Sequence, residues 1–260
     1  MKAYVFEEYG PPEILKVKEI EKPTPKPDEI LIKNYATNVC AADWRIRSLT
    51  IPKGFTPMFK AQFGYPKPKM QILGMELAGI VEAVGQNVNK FKVGDRVFAY
   101  ADTKFGCYVE YKTFNQNDLV CILPDNFSFE EGGAMCFGAL AALGFLRKAK
   151  IKKGQKILIN GASGAVGTAA IQIAKHFGAH ISAICSAKNA QLAKSLGAHQ
   201  VFDYNTQKIE DIGEIFDIIM DNVGNFPFKI SQNLLKNNGR FLAVISNLPQ
   251  LLSSIFTNLT

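Results

Sequence analysis

KILINGASGAVGTAAIQIAKHF, residues Lys156 to Phe177, is the stretch of the sequence that decides the fold. A strand-length apolar run leads into a turn of spacing G-x-x-G-x-x-G, and an amphipathic helical pattern follows. Gly161 permits a tight turn, Gly164 lets the backbone approach a pyrophosphate, and Gly167 lets the helix pack closely on the strand. The free N–H groups of the helix N-terminus then bind the anion. The turn residues predicted to hold a dinucleotide are Gly161, Ala162, Ser163, Gly164, Ala165, Val166 and Gly167.

The end of the next strand distinguishes the two nicotinamide cofactors. NAD sites place an acidic residue there, about 20 residues beyond the glycine turn, to hold the ribose hydroxyls. This chain instead reads Cys185-Ser186-Ala187-Lys188, with a hydroxyl and an ammonium and no carboxylate. Those groups suit the 2′-phosphate of NADPH, which a carboxylate would repel. The alternative is that Lys188 is an ordinary exposed lysine in a first helical turn.

Residues 123–260 alternate between strand and helix patterns. A Ser-x-x-Glu capping box at Ser128–Glu131 opens a helix predicted to run to about Lys148. The glycine turn then lies between a strand at 155–160 and a helix at 165–177. The later predicted strands are 180–185, 200–202, 216–220 and 239–245, and the later helices are 187–196 and 228–235. This alternation predicts a doubly wound parallel sheet, a Rossmann domain.

Residues 1–122 have a different pattern, with short strands bounded by Pro, Gly, Asn or Asp. The predicted strands are 14–20, 29–36, 78–84, 96–99 and 107–111. The segment Phe55–Lys69 contains three prolines and several lysines, and is predicted to be a long loop. This half therefore resembles a partly open all-β barrel, and the domain boundary is predicted after residue 122.

Composition restricts the class of protein. The net charge is +7, from 30 basic and 23 acidic residues, but the lysines are spread along the chain without a run of five or six. This distribution argues against nucleic-acid binding, which needs a concentrated basic face. Five cysteines without CxxC spacing argue against a disulfide framework. The N-terminus alternates like a strand, and no apolar run reaches membrane-spanning length, so a cytoplasmic protein without membrane contact is predicted.

Six sequence motifs resemble those of the medium-chain dehydrogenase/reductase superfamily and occur in the same order. The resemblance extends from residue 1 to about residue 246. The six motifs are GMELAGIVEAVGQNVNKFKVGDRVFAY, GCYVEYKTF, LPDNFSFEEGGAM, KIKKGQKILINGASGAVGTAAIQIAKHFGAH, SLGAHQVFDY and FDIIMDNVG. The branch that the chain resembles is the zinc-independent quinone oxidoreductases and related enone reductases. The resemblance implies a GroES-like catalytic domain joined to a Rossmann domain, with an active site in the cleft between them. It also implies that Ser186, Lys188 and Tyr204 hold the 2′-phosphate. Asn222 is predicted to contact the cofactor as well.

The resemblance bears on metal binding as well. Zinc-using members take a Cys from a C-x-x-D segment, a His from a G-H-E segment and a second Cys before the Rossmann domain. Here Cys40 and Cys136 match, but Met75 occupies the histidine position, and a thioether is a weak ligand for Zn²⁺. Glu76 is the remaining candidate ligand, through a carboxylate oxygen. We therefore expect no metal, with the two cysteines acting as small apolar wall residues.

A metal-free site suits a quinone or an α,β-unsaturated carbonyl, which accepts hydride at carbon and moves the charge to an oxygen. Members of the branch often carry Asn where this chain has Cys40, which leaves the usual side-chain donor in doubt. Asn38 and Arg45 are nearby polar candidates, and Trp44 offers a ring for stacking. The predicted catalytic residues are Asn38, Cys40, Asp43 and Arg45. The alternative is that Asp43 anchors a turn and Trp44 belongs to the core.

The C-terminus departs from the family pattern. The strand at 239–245 would be the fifth of six in the Rossmann sheet, and the residues from Asn247 to Thr260 follow it. Relatives continue through a sixth strand, which commonly mediates dimerisation, and through a segment that returns to the catalytic domain. The resemblance therefore predicts a truncated Rossmann domain, which makes a homodimer doubtful.

Three functions follow from these residues, in decreasing order of support. The first is an NADPH-dependent reductase of quinones or enones. The second is a catalytically weak protein that binds NADPH or senses redox state. The third is a zinc-dependent alcohol dehydrogenase.

Overall fold

The structure, a computed structural model, describes residues 1–249. The chain forms two compact units, Met1–Phe137 and a second that begins at Gly138. The predicted boundary after residue 122 stays a prediction. The predicted C-terminal truncation also stays a prediction, because residues 250–260 lie outside the described part of the chain. Among residues 1–249, no helix combines the length and the hydrophobicity needed to cross a bilayer.

The first unit is built on an antiparallel sheet of five strands. Its strands are β3 (Glu29–Thr37), β4 (Glu76–Val84), β5 (Arg96–Tyr100), β6 (Tyr111–Asn115) and β7 (Leu119–Ile122), in the order β6-β3-β4-β5-β7. A separate two-stranded ladder pairs β1 (Lys2–Val5) with β2 (Lys16–Glu19). Side chains on one face of the larger sheet, such as Ile30, Ile32, Val97 and Ala99, form a buried core. This sheet confirms the predicted partly open barrel of a GroES-like domain.

Two local predictions between residues 55 and 111 were wrong. The segment Phe55–Lys69 contains the helix α2 (Thr56–Phe63), where a long loop was expected. A proline is tolerated in the first turn of a helix, and Phe59 packs on Phe63 one turn later, with ring centroids 4.4 Å apart. The strand predicted at 107–111 instead begins at Tyr111, because Cys107 and Tyr108 bond to the loop residues Gly74 and Leu73.

The helix predicted from Ser128 to Lys148 is two helices, α3 (Phe129–Gly133) and α4 (Cys136–Lys148). The capping box is confirmed, with Glu131 N 3.2 Å from Ser128 Oγ and Ser128 N 2.8 Å from Glu131 Oε2. The helix breaks where Gly133 passes close to β3, since a Cβ there would lie 2.7 Å from the Ala36 oxygen. Sequence periodicity alone does not report such a close approach.

The second unit is a parallel sheet with helices on both faces. Its strands are β8 (Lys156–Asn160), β9 (His180–Cys185), β10 (Gln200–Asp203), β11 (Phe216–Asp221) and β12 (Leu235–Ala243), in the order β10-β9-β8-β11-β12. The helices that follow the strands are α5 (Ala165–His176), α6 (Ala190–Leu196) and α7 (Phe228–Leu234). All pairings are parallel. The sheet confirms the predicted Rossmann architecture, although β12 begins four residues earlier than expected.

Alternating side chains of β8 fill the cores on the two faces of the parallel sheet. Ile157 and Ile159 belong to one buried cluster, and Leu158 belongs to the cluster on the opposite face. The three central residues of the strand are therefore apolar, as expected for a buried parallel strand. The carboxyl ends of β8, β9, β10 and β11 lie at the same edge of the sheet, which is where doubly wound sheets bind ligands.

Candidate active site

The three glycines of the turn after β8 differ in what a side chain at each position would contact. Gly161 has a φ of +70°, and a Cβ there would lie 2.6 Å from Val223 Cγ2. A Cβ on Gly167 would lie 2.2 Å from the Gly161 oxygen, so this glycine is required by packing. Gly164 is exposed, and a Cβ there would meet only the Gly161 oxygen, at 3.6 Å. Protein packing therefore explains two of the glycines, and the third leaves open space beside the turn.

The start of α5 borders that space. Gly164 is the N-cap residue and carries no side chain to accept from the first-turn N–H groups. An α-helix leaves its first N–H groups without intrahelical partners, here at the positions of Ala165, Val166 and Gly167. These donors and the helix dipole favour an anion at this end. The turn fits the pyrophosphate of a dinucleotide.

A buried polar network supports the turn from the adjacent strand. Asp221 is 1% exposed, and its carboxylate accepts hydrogen bonds from Asn160 Nδ2 (2.8 Å) and from the backbone N–H groups of Val223, Gly224 and Phe226. Asp221 and Asn160 are paired in register at the carboxyl ends of β11 and β8. The sequence reasoning missed both residues. The signal available was a polar residue that ends each of two apolar strands.

Asn222, predicted to contact the cofactor, is also bonded within the protein. Its Nδ2 donates to the Asn160 oxygen at 2.9 Å, which ties the turn after β11 to the end of β8. Its Oδ1 is buried and has no hydrogen-bond partner among residues 1–249. A buried acceptor without a partner costs free energy, so a ligand donor would stabilise this position. A cofactor contact at Asn222 stays a prediction.

The residues predicted to select the cofactor follow β9 and β10. Ser186 is 8% exposed, and Asn189 Nδ2 donates to both Ser163 Oγ (3.1 Å) and Ser186 Oγ (3.3 Å). Asn189 therefore joins the glycine turn to the end of β9, a link that the sequence reasoning missed. Lys188 is exposed, and Tyr204 is 60% exposed just after β10.

One carboxylate lies on the neighbouring strand. Asp203 ends β10, in register with Cys185 of β9. Its Oδ1 accepts from the backbone N and from Nδ2 of Asn205, both at 3.0 Å. These local bonds occupy one of the two carboxylate oxygens of Asp203. The end of β9 itself presents the Ser186 hydroxyl and no acid.

In the first unit, Asp43 is a buried anchor for two loops. It is 2% exposed and lies in α1 (Ala41–Ser48). Its Oδ2 accepts from Cys40 N at 2.9 Å, and its Oδ1 accepts from Gly74 N at 2.8 Å. Backbone donors thus bond to both carboxylate oxygens. This geometry favours the structural alternative for Asp43, while its predicted catalytic role stays a prediction.

The residues at the positions of the family's zinc ligands form a group with poor donors for zinc. Cys40 Sγ lies 3.7 Å from Met75 Sδ, and both residues are buried. Burial, reinforced by Asp43, raises the pKa of Cys40 to about 12, and burial with Glu76 raises that of Cys136 to about 12. Both cysteines are therefore thiols in this environment, and the weak zinc ligand among these residues is the Met75 thioether. Within residues 1–249 no three His, Cys, Asp or Glu side chains are grouped to hold a metal.

Glu76 and Asn38 form a polar pair inside this unit. Glu76 is 0% exposed; its Oε1 accepts from Asn38 Nδ2 at 2.6 Å and its Oε2 from Phe137 N at 3.0 Å. Burial raises the pKa of Glu76, against the effect of these hydrogen bonds. Asn38 Oδ1 is buried without a partner among the described residues. Sequence reasoning considered Glu76 only as a metal ligand and missed this pairing.

Trp44 and Arg45 follow the buried Asp43 on α1 and are more exposed than it is. Trp44 is 45% exposed, and the Arg45 guanidinium lies 5.8 Å from the centroid of its ring. The exposure of Trp44 does not agree with the alternative that it belongs to the core. An exposed indole beside a cation offers a surface for a flat ring.

Comparison with known proteins agrees with this architecture. Residues 26–143 match the alcohol dehydrogenase GroES-like domain family, and residues 165–258 match the zinc-binding dehydrogenase family. The second match contains none of Cys40, Met75 and Cys136, so it carries no information on those positions. A quinone oxidoreductase from Sus scrofa is 35% identical over 250 residues, which cover 93% of this chain and 72% of that protein.

Two further relatives extend the comparison. A 2-methylene-furan-3-one reductase from Solanum lycopersicum is 35% identical over 234 residues, covering 86% of this chain and 57% of that protein. The structure of Escherichia coli quinone oxidoreductase complexed with NADPH superposes with a TM-score of 0.79 at 29% identity, over 98% of this chain and 78% of that one. The fold and these relatives define the class of nicotinamide-dependent oxidoreductases. The chain belongs to the medium-chain dehydrogenase/reductase superfamily, in its quinone oxidoreductase branch.

Proposed function

We propose that this protein is an NADPH-dependent reductase of quinones or α,β-unsaturated carbonyls that works without a metal. The observation that carries the choice of NADPH is the end of β9, where Ser186 and Lys188 stand and no carboxylate does. A hydroxyl and an ammonium attract a 2′-phosphate, and an acid in that place would repel it. The related Escherichia coli structure with NADPH supports the same choice.

The residues around β9 would bind the two phosphate-bearing parts of the cofactor. The N-terminus of α5 and the open side of Gly164 suit the pyrophosphate. Asn189 holds the hydroxyls of Ser163 and Ser186 near each other, so they face the ligand as a pre-organised pair. Lys188 and Tyr204 are exposed and add a cation and a phenol to this end of the site.

The donors in the first unit favour a reaction that needs no Lewis acid. The Met75 thioether, at the position of a zinc-binding histidine, is a poor zinc ligand. Hydride transfer without a Lewis acid suffices for quinones and enones, because conjugation in these carbonyl compounds spreads the negative charge that develops. The quinone oxidoreductase and furanone reductase relatives support this substrate class.

NADPH, when bound, supplies a hydride, and the protein's residues must orient the acceptor and stabilise the charge on its oxygen. A donor aimed at that oxygen lowers the barrier, most effectively in a site that excludes water. The second hydrogen of Asn38 Nδ2 and the Arg45 guanidinium are the donors that we assign to this task. Trp44 would hold the flat ring of the substrate by stacking.

Absorbance of NADPH tests the proposal directly. The full chain is mixed with NADPH or NADH and with benzoquinone, cyclohexenone or a saturated aldehyde. We expect oxidation of NADPH with the quinone or the enone, slower oxidation of NADH, and none with the saturated aldehyde. Reduction of the aldehyde would instead favour a zinc-type alcohol dehydrogenase.

A second candidate is a protein that binds NADPH with weak or no turnover. It is favoured by the occupation of both Asp43 oxygens and of one Asn38 hydrogen by partners within the chain. Saturable NADPH fluorescence without oxidation by any acceptor would support this candidate and remove the reductase. A cytoplasmic location remains a proposal from the sequence under either reading.

A further inference from the structure

A cavity of about 270 Å³ lies in the first unit, lined by residues of β5, β6, the start of β7 and the loops beside them. Two ammonium groups, Lys104 and Lys112, and two carboxylates, Asp102 and Asp118, line it. Their charges balance, so the cavity has no net attraction for an anion. Phe114 and Leu119 add apolar surface, which suits a small uncharged molecule.

The two lysines of this cavity differ in their partners. Lys104 Nζ forms a salt bridge of 3.0 Å with Asp118 Oδ1. Lys112 is half-buried, and within residues 1–249 it takes part in no salt bridge and no side-chain hydrogen bond. Its ring contact is with Phe114, whose centroid lies 5.5 Å from Nζ. Lys112 is therefore a partly desolvated lysine among the residues that line this cavity, and its Nζ, which lies close to Gly106, has no salt-bridge partner among the described residues.

Two features of the surroundings favour the uncharged amine. Burial is the largest effect and lowers the pKa of Lys112, and the nearby Lys104 ammonium lowers it further. Cys107 and Asp118 act in the opposite direction without reversing the shift. Desolvation beside another cation is the arrangement that activates lysines as nucleophiles.

We propose that Lys112 is a site of covalent modification by small aldehydes, which its ε-amine attacks as a nucleophile. The nitrogen lone pair forms a bond to the carbonyl carbon, and a nitrogen proton passes to the oxygen to give a carbinolamine. Loss of the hydroxyl as water, with the second nitrogen proton, gives an imine. The sequence consumes one aldehyde, releases one water and needs no oxidant or reductant.

Reductive labelling of the full chain tests this assignment without reference to turnover. The folded protein is treated briefly with propanal and cyanoborohydride, which reduces the imine, and each lysine is quantified by peptide mass spectrometry. At about pH 7 we expect Lys112 to be labelled several-fold faster than Lys104, because more of its amine is uncharged. The preference should shrink at about pH 10, where other lysines also lose protons.

Two controls make the result decisive. Lys112→Arg keeps the positive charge and removes the nucleophile, so the folded variant should lose the fast-labelled position. Labelling of the wild-type chain in guanidinium should abolish the preference, since the cavity is then absent. Lys112 labelling equal to or slower than Lys104 in the folded protein at neutral pH would overturn the proposal. A preference that persists in guanidinium would overturn it as well.

Discussion

Asn38 Nδ2 lies 2.6 Å from Oε1 of Glu76, and this hydrogen bond joins the end of β3 to the start of β4 inside the first unit. The carboxylate is fully buried, and its other oxygen is bonded to Phe137 N. The pair thus links three segments of the chain that are distant in sequence. Because a buried polar group is costly once it loses its partner, this pair should be sensitive to substitution.

Asn38→Ala is expected to lower the free energy of unfolding by about 1–3 kcal/mol, because Glu76 Oε1 loses its side-chain donor. Urea unfolding followed by fluorescence measures the change. Val39→Ala is the matched control, since Val39 is the next residue and is 79% exposed. Equal stability of Asn38→Ala and the wild type would show that the hydrogen bond contributes nothing.

Glu76 should make stability depend on pH. Burial raises its folded pKa above the ordinary value of 4.5, so the folded state binds the proton more tightly than the unfolded state. That contribution is fully present below about pH 4.5 and is lost as the pH rises through the folded pKa. Glu76→Gln does not titrate, so we expect the wild type to lose stability relative to Glu76→Gln as the pH rises from below about 4.5 through the raised folded pKa of Glu76. Parallel stability curves would contradict the raised pKa.

Lys188→Ala is expected to weaken NADPH binding about tenfold and to leave NADH binding nearly unchanged, since only NADPH carries the 2′-phosphate. Cofactor fluorescence titrations give the two dissociation constants. Lys194→Ala is the control, because Lys194 is another exposed lysine of the same unit, on α6. Equal losses for the two cofactors would refute the assignment of Lys188.

Zinc binding should be absent in the wild type and should appear after one substitution. Met75→His places an imidazole beside Cys40, whose Sγ now lies 3.7 Å from the thioether. Metal analysis of protein purified without chelator should show little zinc in the wild type. The Met75→His variant should gain zinc and lose it again on addition of Cys136→Ala. Stoichiometric zinc in the wild type would remove the metal-free proposal.

Local sequence patterns predicted the strand–turn–helix of the cofactor site because each part of it is encoded within a few residues. Gly161, Gly164 and Gly167 carry that signal without reference to the rest of the chain. The helix α2 was missed because proline content was taken to indicate a loop, although Pro57 lies where a helix tolerates it.

Local sequence patterns could not predict the polar pairs of the site. Asn160 meets Asp221 across 61 positions, and Asn38 meets Glu76 across 38. Neither separation reflects a helix or strand repeat, and the partners meet only because of the order of the strands in the sheets. Asp43 was identified as important, but its bond to Gly74 across 31 positions could not be read from the sequence. Residue types at strand ends indicated where to look, and tertiary structure decided which side chains are paired.

Gly164 and Gly167 allow the cofactor role of the turn to be separated from its folding role. A Cβ on Gly167 would lie 2.2 Å from the Gly161 oxygen and 2.7 Å from backbone atoms of Ala162, so Gly167→Ala must shift the helix. We expect that substitution to cost about 1–3 kcal/mol of stability, measured by urea unfolding.

Gly164→Ala should behave differently, because the nearest atom to its new Cβ would be 3.6 Å away and the residue has ordinary extended backbone angles. The loss of stability should be about 1 kcal/mol or less, since alanine is only a poorer N-cap than glycine. Its methyl group would nevertheless occupy the space assigned to the pyrophosphate, so NADPH affinity should fall at least about tenfold. Normal NADPH affinity in a well-folded Gly164→Ala variant would mean that the pyrophosphate does not approach this glycine.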